Sequence, residues 1–118
     1  MKKNVARKGG FTLVEIMIVV AIIGLLCAIA LPNFVKARTS SQQNACINNL
    51  RQMDGAAEQF ALENMLTSGA DYTLSQIKPY IQLDSHGNLP ACPANGTYAA
   101  GTAVSNPPTC TVSGHVFN

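Results

Sequence analysis

The chain contains no tryptophan, and only 12% of its 118 residues carry a charge, about half the ~25% usual in globular domains. Beyond the first ten residues there are four bases against six acids. A general nucleic-acid surface is thereby excluded, because it needs a basic face to replace phosphate counterions. No glycine-rich phosphate loop is present. The two histidines, His86 and His115, have no partnered nucleophile or paired carboxylates, so no catalytic constellation is visible. Collagen-like and disordered acidic classes fail on composition, and one domain of this length has little room for a deep pocket. The expectation is a protein that is not an enzyme.

What is abundant is apolar, at 47% of residues, and it is unevenly placed. Phe11 to Leu31 reads FTLVEIMIVVAIIGLLCAIAL, with Glu15 its single charge. A 21-residue helix is about 31 Å long, matching the hydrocarbon core of a bilayer. Lys2, Lys3, Arg7 and Lys8 precede it and favour a cytoplasmic start, with the rest of the chain outside. A secretory signal peptide would end in a small-residue cleavage site, and Ala28-Ile29-Ala30-Leu31-Pro32 is a poor one. A plain single-pass anchor does not account for Glu15. A carboxylate in lipid costs about 2.5–3.5 kcal/mol on insertion scales, and no base in the run can pair with it.

Lys8-Gly9-Gly10-Phe11-Thr12-Leu13-Val14-Glu15 closely resembles the processing site of type IV prepilins and type II secretion pseudopilins. The resemblance continues through Gly24 and Pro32 and covers about residues 6–38. It implies a leader at 1–10, cleaved between Gly10 and Phe11 by a prepilin peptidase that also N-methylates Phe11. It further implies a membrane and filament-core helix at 11–32 and a head at 33–118 outside the cytoplasm. Cleavage would create an α-amino cation of reference pKa ~7.7–8.0. In a filament, Glu15 of one subunit could face that amine on a neighbour and so set register. Pro32 cannot donate a helical hydrogen bond, and Gly24 weakens a helix interior by about 1 kcal/mol relative to alanine. Both are candidate kink sites, although Pro32 could equally mark the membrane boundary.

After Pro32 the chain turns amphipathic. Cys46, Leu50, Met53, Ala57 and Phe60 are spaced 4, 3, 4, 3, the signature of one buried helical face. Ile47 and Ala61 widen the stripe. The helix is expected to end near Leu66, before Thr67-Ser68-Gly69. Thr73-Leu74-Ser75-Gln76 reads as a capping box opening a short helix to Tyr80, with Leu74, Ile77 and Ile81 packing inward. Two β-capable runs follow, 96–100 and 109–113, separated by turn residues. The predicted fold class is therefore α+β and pilin-like. One long N-terminal helix, apolar first and amphipathic second, packs against a small C-terminal antiparallel β region.

Cys92 and Cys110 sit beside proline-rich turns and flank the first β run. For a head outside the cytoplasm, and by the habit of pilins this chain resembles, a Cys92–Cys110 disulfide is expected, stabilising by about 2–4 kcal/mol. Cys27 and Cys46 read as small buried hydrophobes. A zinc site from Cys92, Cys110, His86 and His115 lacks a tight CxxC pair, so no metal is assigned. Asp84-Ser85-His86-Gly87-Asn88 offers oxygen ligands for calcium, but with a single carboxylate, and a solvated turn is preferred. Phe34, Tyr72, Tyr80 and Tyr98 could stack on bases, but lacking basic surroundings they read as packing residues.

The leading functional expectation is a type IV filament subunit for adhesion, motility or DNA uptake. It would start in the inner membrane and polymerise with itself, aided by an assembly ATPase and a polytopic platform protein. The first alternative is a pseudopilin of type II secretion. The second is a membrane-anchored binding module that never polymerises.

Overall fold

Thr12 starts the first helix by exchanging hydrogen bonds with Glu15. The Glu15 backbone N–H donates to Thr12 Oγ1 at 3.2 Å, and the Thr12 N–H donates to Glu15 Oε2 at 3.4 Å. This reciprocal arrangement satisfies two donors that a helix start otherwise leaves open. In the computed structural model, which describes residues 9–117, helix α1 then runs Leu13–Glu63. The chain divides into two compact units, Met1–Ala37 and Arg38–Asn118.

In the first unit α1 passes through Gly24 and Pro32 without losing helical assignment, although Pro32 has no N–H to offer the carbonyl of Ala28. Among the described residues here the large apolar side chains are exposed. Phe11 is 86% exposed, Leu25 65% and Phe34 66%, and even Ile16 is half exposed. Among the described residues α1 is the one helix long and apolar enough to cross a membrane.

The second unit buries what the first leaves open. Cys46, Leu50, Met53 and Ala57 are completely buried, Ala56 and Ala61 nearly so, and Phe60 packs at the edge. The expected stripe is the observed one, widened by Ala56 as well as by Ala61. α1 ends three residues before Leu66. Met65 adopts φ 52°, its N–H donates to Leu62 O at 3.3 Å, and the Leu66 N–H donates to Ala61 O at 2.8 Å. This pair of bonds closes the last turn in a Schellman motif, with the Asn64 side chain adding a bond to Phe60 O at 2.8 Å. A non-glycine residue takes the left-handed position because the motif offsets its cost.

Helix α2 (Leu74–Ile77) continues into a 3₁₀ turn, Lys78–Tyr80. Gln76 reaches back so that its Oε1 accepts from the Thr73 N–H at 2.8 Å, as the capping-box spacing predicts. Pro79 sits within the short turn, where few helical donors are needed. Ile77 is fully buried, with Leu74 and Ile81 packed beside it.

The β region is smaller than expected. Strands β1 (Tyr98–Ala99) and β2 (Thr109–Cys110) pair antiparallel, Tyr98 opposite Cys110 and Ala99 opposite Thr109. Beyond them one backbone bond continues on one side, Thr111 N–H to Thr97 O at 3.1 Å. Thr97 N–H donates to the Thr111 side chain at 2.9 Å. On the other side Pro107 and Pro108 supply no ladder donors. The 103–106 turn pairs elsewhere: Val104 N–H donates to Ala70 O at 3.0 Å and Ser105 N–H to Ser68 O at 2.9 Å. Val116, a possible extension of the second run, is exposed.

Candidate functional site

Two places in the molecule carry more chemistry than packing requires. The first is the N-terminal turn. Gly10 and Phe11 precede α1 and are exposed, with open space around Gly10, so the Gly10–Phe11 peptide is accessible. Glu15 is exposed in the first helical turn, where a carboxylate complements the positive end of the helix dipole. Thr12 gives Glu15 a partner within the chain, and its spacing to Glu15 is a capping signature ahead of an apolar run. The backbone N–H of Thr12 occupies one carboxylate oxygen but carries no compensating charge. The basic residues Lys2, Lys3, Arg7 and Lys8 lie outside the described residues.

The second place is a buried cluster in the head. Cys46 from α1, Cys92, Cys110 from β2 and His115 place one ligand-capable atom each within 4.8 Å of one another. All but Cys110 are buried, and His115 is the buried polar side chain of the head. All three thiols are free. The Cys92 and Cys110 sulfurs, expected to pair, share a cluster with a third thiol and an imidazole, whose Nδ1 lies 3.6 Å from Cys92 Sγ.

Local geometry holds this cluster. Cys92-Pro93-Ala94-Asn95-Gly96 forms a tight turn in which Asn95 N–H donates to Cys92 O at 3.0 Å and Asn95 itself has φ 61°. The backbone N–H groups of Ala94 and Gly96 point at the Cys92 sulfur. Gly96 lies close to the cluster: a Cβ there would stand 2.6 Å from Cys110 Sγ, 2.7 Å from Val112 Cγ2 and 3.2 Å from Cys92 Sγ, so neighbouring side chains would have to shift. Three amides on α1 anchor the loops. Gln42 donates to Pro93 O at 3.2 Å, Gln43 to Gly114 O at 2.7 Å and Asn49 to Ala91 O at 3.3 Å. Asn49 also donates to the Tyr98 hydroxyl at 3.0 Å.

The electrostatics of the sulfurs diverge. Burial pushes Cys46 up to about 12, with the neighbouring Cys110 and Cys92 adding to the effect. Burial also pushes Cys92 upward, but the Ala94 and Gly96 N–H groups, with Cys46 and His115, outweigh it and bring Cys92 down to about 6. Hydrogen bonds to a thiolate favour its charged form.

His86 is not part of this cluster. It is exposed on the 84–88 turn, beside Ser85 Oγ. There Asp84 Oδ1 accepts from the backbone N–H of both His86 and Asn88 at 2.9 Å, so the carboxylate considered for calcium is engaged in its own loop. Tyr72 and Tyr98 pack in the head. The Tyr72 hydroxyl accepts from Gly101 N–H at 3.1 Å, and Tyr80 stacks edge-on to Phe60 at 6.1 Å while donating to Glu63. Phe34 is exposed on the apolar segment.

Comparison with known proteins decides what the N-terminal turn belongs to. Residues 5–31 match the prokaryotic N-terminal methylation motif. The chain is 33% identical over 106 residues to the type IV wide pilus major component PilA4 of Thermus thermophilus, covering 90% of this chain and 72% of that protein. The chain belongs to the type IV pilin superfamily. It is also 51% identical over 57 residues to the type IV major pilin protein PilA of Myxococcus xanthus, covering 48% of this chain and 26% of that one. With the type II secretion system core protein G of Klebsiella pneumoniae it shares 33% identity over 58 residues, 49% of this chain and 41% of that one. The chain therefore spans well under two thirds of the length of these two relatives. No enzyme is among the relatives named here. No solved structure gives a significant match.

Proposed function

We propose that the chain is a structural subunit of a type IV filament. The observation that carries this reading is the pairing of an accessible Gly10–Phe11 peptide with an apolar segment, 11–31, whose large side chains are exposed. A prepilin peptidase cuts after Gly10 and methylates the new Phe11 amine. The subunit waits in the inner membrane with its head outside. An assembly ATPase and a platform protein then move it into the fibre, where apolar segments of many copies cover one another.

Glu15 supplies register. In the single chain one of its oxygens accepts a neutral N–H from Thr12. A neighbouring Phe11 amine adds the missing positive charge, and breaking such a pair inside an apolar core costs about 3–5 kcal/mol. Gly24 and Pro32 are the points where the helix gives way most easily on leaving the bilayer.

The match to a type II secretion core protein favours a second reading, a pseudopilin. Matches to core protein G reach 72% of the chain at 28% identity, whereas the Thermus pilus relative covers 90% at 33%, which favours the pilus. Intact mass of the chain from sheared surface material and from membranes separates the readings. A chain beginning at methylated Phe11 and abundant in the sheared fraction is expected. The same processed chain confined to the envelope would point to the pseudopilin, and an uncut leader in both fractions would leave only a membrane-anchored module.

A further inference from the structure

The head contains a closed set of four soft ligands that the filament role does not use. From this geometry we infer that Cys46, Cys92, Cys110 and His115 form a structural zinc site. Zinc takes four ligands in a tetrahedron, with sulfur at ~2.3 Å and nitrogen at ~2.0–2.1 Å, so ligand atoms lie about 3.4–3.8 Å apart. The four candidate atoms all fall within 4.8 Å of one another, and Cys92 Sγ lies 3.6 Å from His115 Nδ1. Thiolates and imidazole select zinc over calcium or magnesium, which take oxygen. Four protein ligands leave no open position, the mark of a structural rather than a catalytic centre.

A disulfide explains less. Bonding Cys92 to Cys110 would leave the Cys46 thiol and the His115 imidazole buried beside it without a role. It also gives no reason for the two backbone N–H groups aimed at Cys92 Sγ, which in metal sites orient and tune the ligand sulfur. A Cβ at Gly96 would crowd both sulfurs. Gln42, Gln43 and Asn49 fix the two loops from α1 whether or not a metal is present. Bound zinc would face three thiolates and a neutral imidazole, any thiol protons passing to solvent, giving a site of net charge −1. The need is structural. The β region has two residues per strand, and a head of this size gains from a cross-link between its helix, turn, strand and final loop.

The test uses the full chain in detergent. Isolated without chelators, it is expected to carry about one zinc per chain. After chelation and reduction, cobalt(II) alone should produce intense visible bands of a tetrahedral centre and a near-ultraviolet thiolate-to-cobalt band, both erased by added zinc. Cys27→Ser, outside the cluster, should behave as wild type. Cys110→Ser and His115→Ala should each weaken binding at least about tenfold, within the range reported for ligand-shell damage. Should those variants misfold, the wild-type cobalt spectrum decides alone. A reduced wild-type chain with no such spectrum would overturn the proposal. So would a metal-free chain from cells that is two hydrogens lighter, since a disulfide among the cluster's thiols removes two of the ligands.

Discussion

The two halves of α1 share one backbone geometry and differ in where their apolar side chains go. Up to Ala37 nearly every one faces outward; from Cys46 on, the stripe is buried by residues of the same chain. The second half is thus explained by its own head. The first half makes sense only in a bilayer or against other copies, because water is a poor solvent for a surface of Leu, Ile and Val.

The sharpest way to break this contrast is to remove the same atoms from each half. Leu50→Ala should destabilise the head by about 2–5 kcal/mol through the transfer and cavity terms. All three tyrosines lie in the head, so near-ultraviolet circular dichroism follows its melting without interference. Leu25→Ala should leave that melting curve unchanged and lower filament recovery instead. Equal thermal effects in both variants would show that the apolar segment helps hold the head together.

Gly96→Ala tests whether the thiol cluster is as tight as it looks. The added methyl meets Cys110 Sγ and Val112, and overpacking of this kind costs about 1–3 kcal/mol. Gly24→Ala, in open space on the helix, should leave the head's melting where it was.

The two capping boxes give a smaller, matched pair. Gln76→Ala removes one reach-back bond in the head and should lower its stability by about 0.5–1.5 kcal/mol. Thr12→Ala removes the equivalent device at the start of α1 and should not move the tyrosine signal.

The smallest effect concerns pH. Burial, with Glu58 nearby, raises the Asp54 carboxyl above its ordinary value. The folded head therefore binds this proton more tightly than the unfolded chain does. Its stability should fall as pH rises from the ordinary carboxylate range through the raised folded value. Asp54→Asn should flatten that part of the stability profile, as followed by denaturant melts across the acid range.

The helical stripe and the Thr73–Gln76 cap were legible because each depends on spacing within a few residues. The Gly10–Phe11 motif was legible because its residues are contiguous in the sequence. The cluster was not. Cys46 has helical periodicity that matches a core position, and it is one; nothing local shows that its sulfur meets a turn 46 residues later. His86 and His115 look alike in sequence, and the fold alone separates the exposed one from the buried one. The strands were overcalled because β-capable residues were available on both sides, while Pro107, Pro108 and the 103–106 turn diverted their partners.

Glu15→Gln tests the central claim most directly, since it keeps side-chain size and hydrogen-bond capacity while deleting the charge. The variant chain should reach the membrane at wild-type levels, be cut at Gly10, and appear in sheared filaments at least about tenfold below wild type, a modest share of the ~3–5 kcal/mol a buried pair can be worth. Filaments at wild-type yield would contradict the account, because the first half of α1 would then assemble without the charge that sets its register.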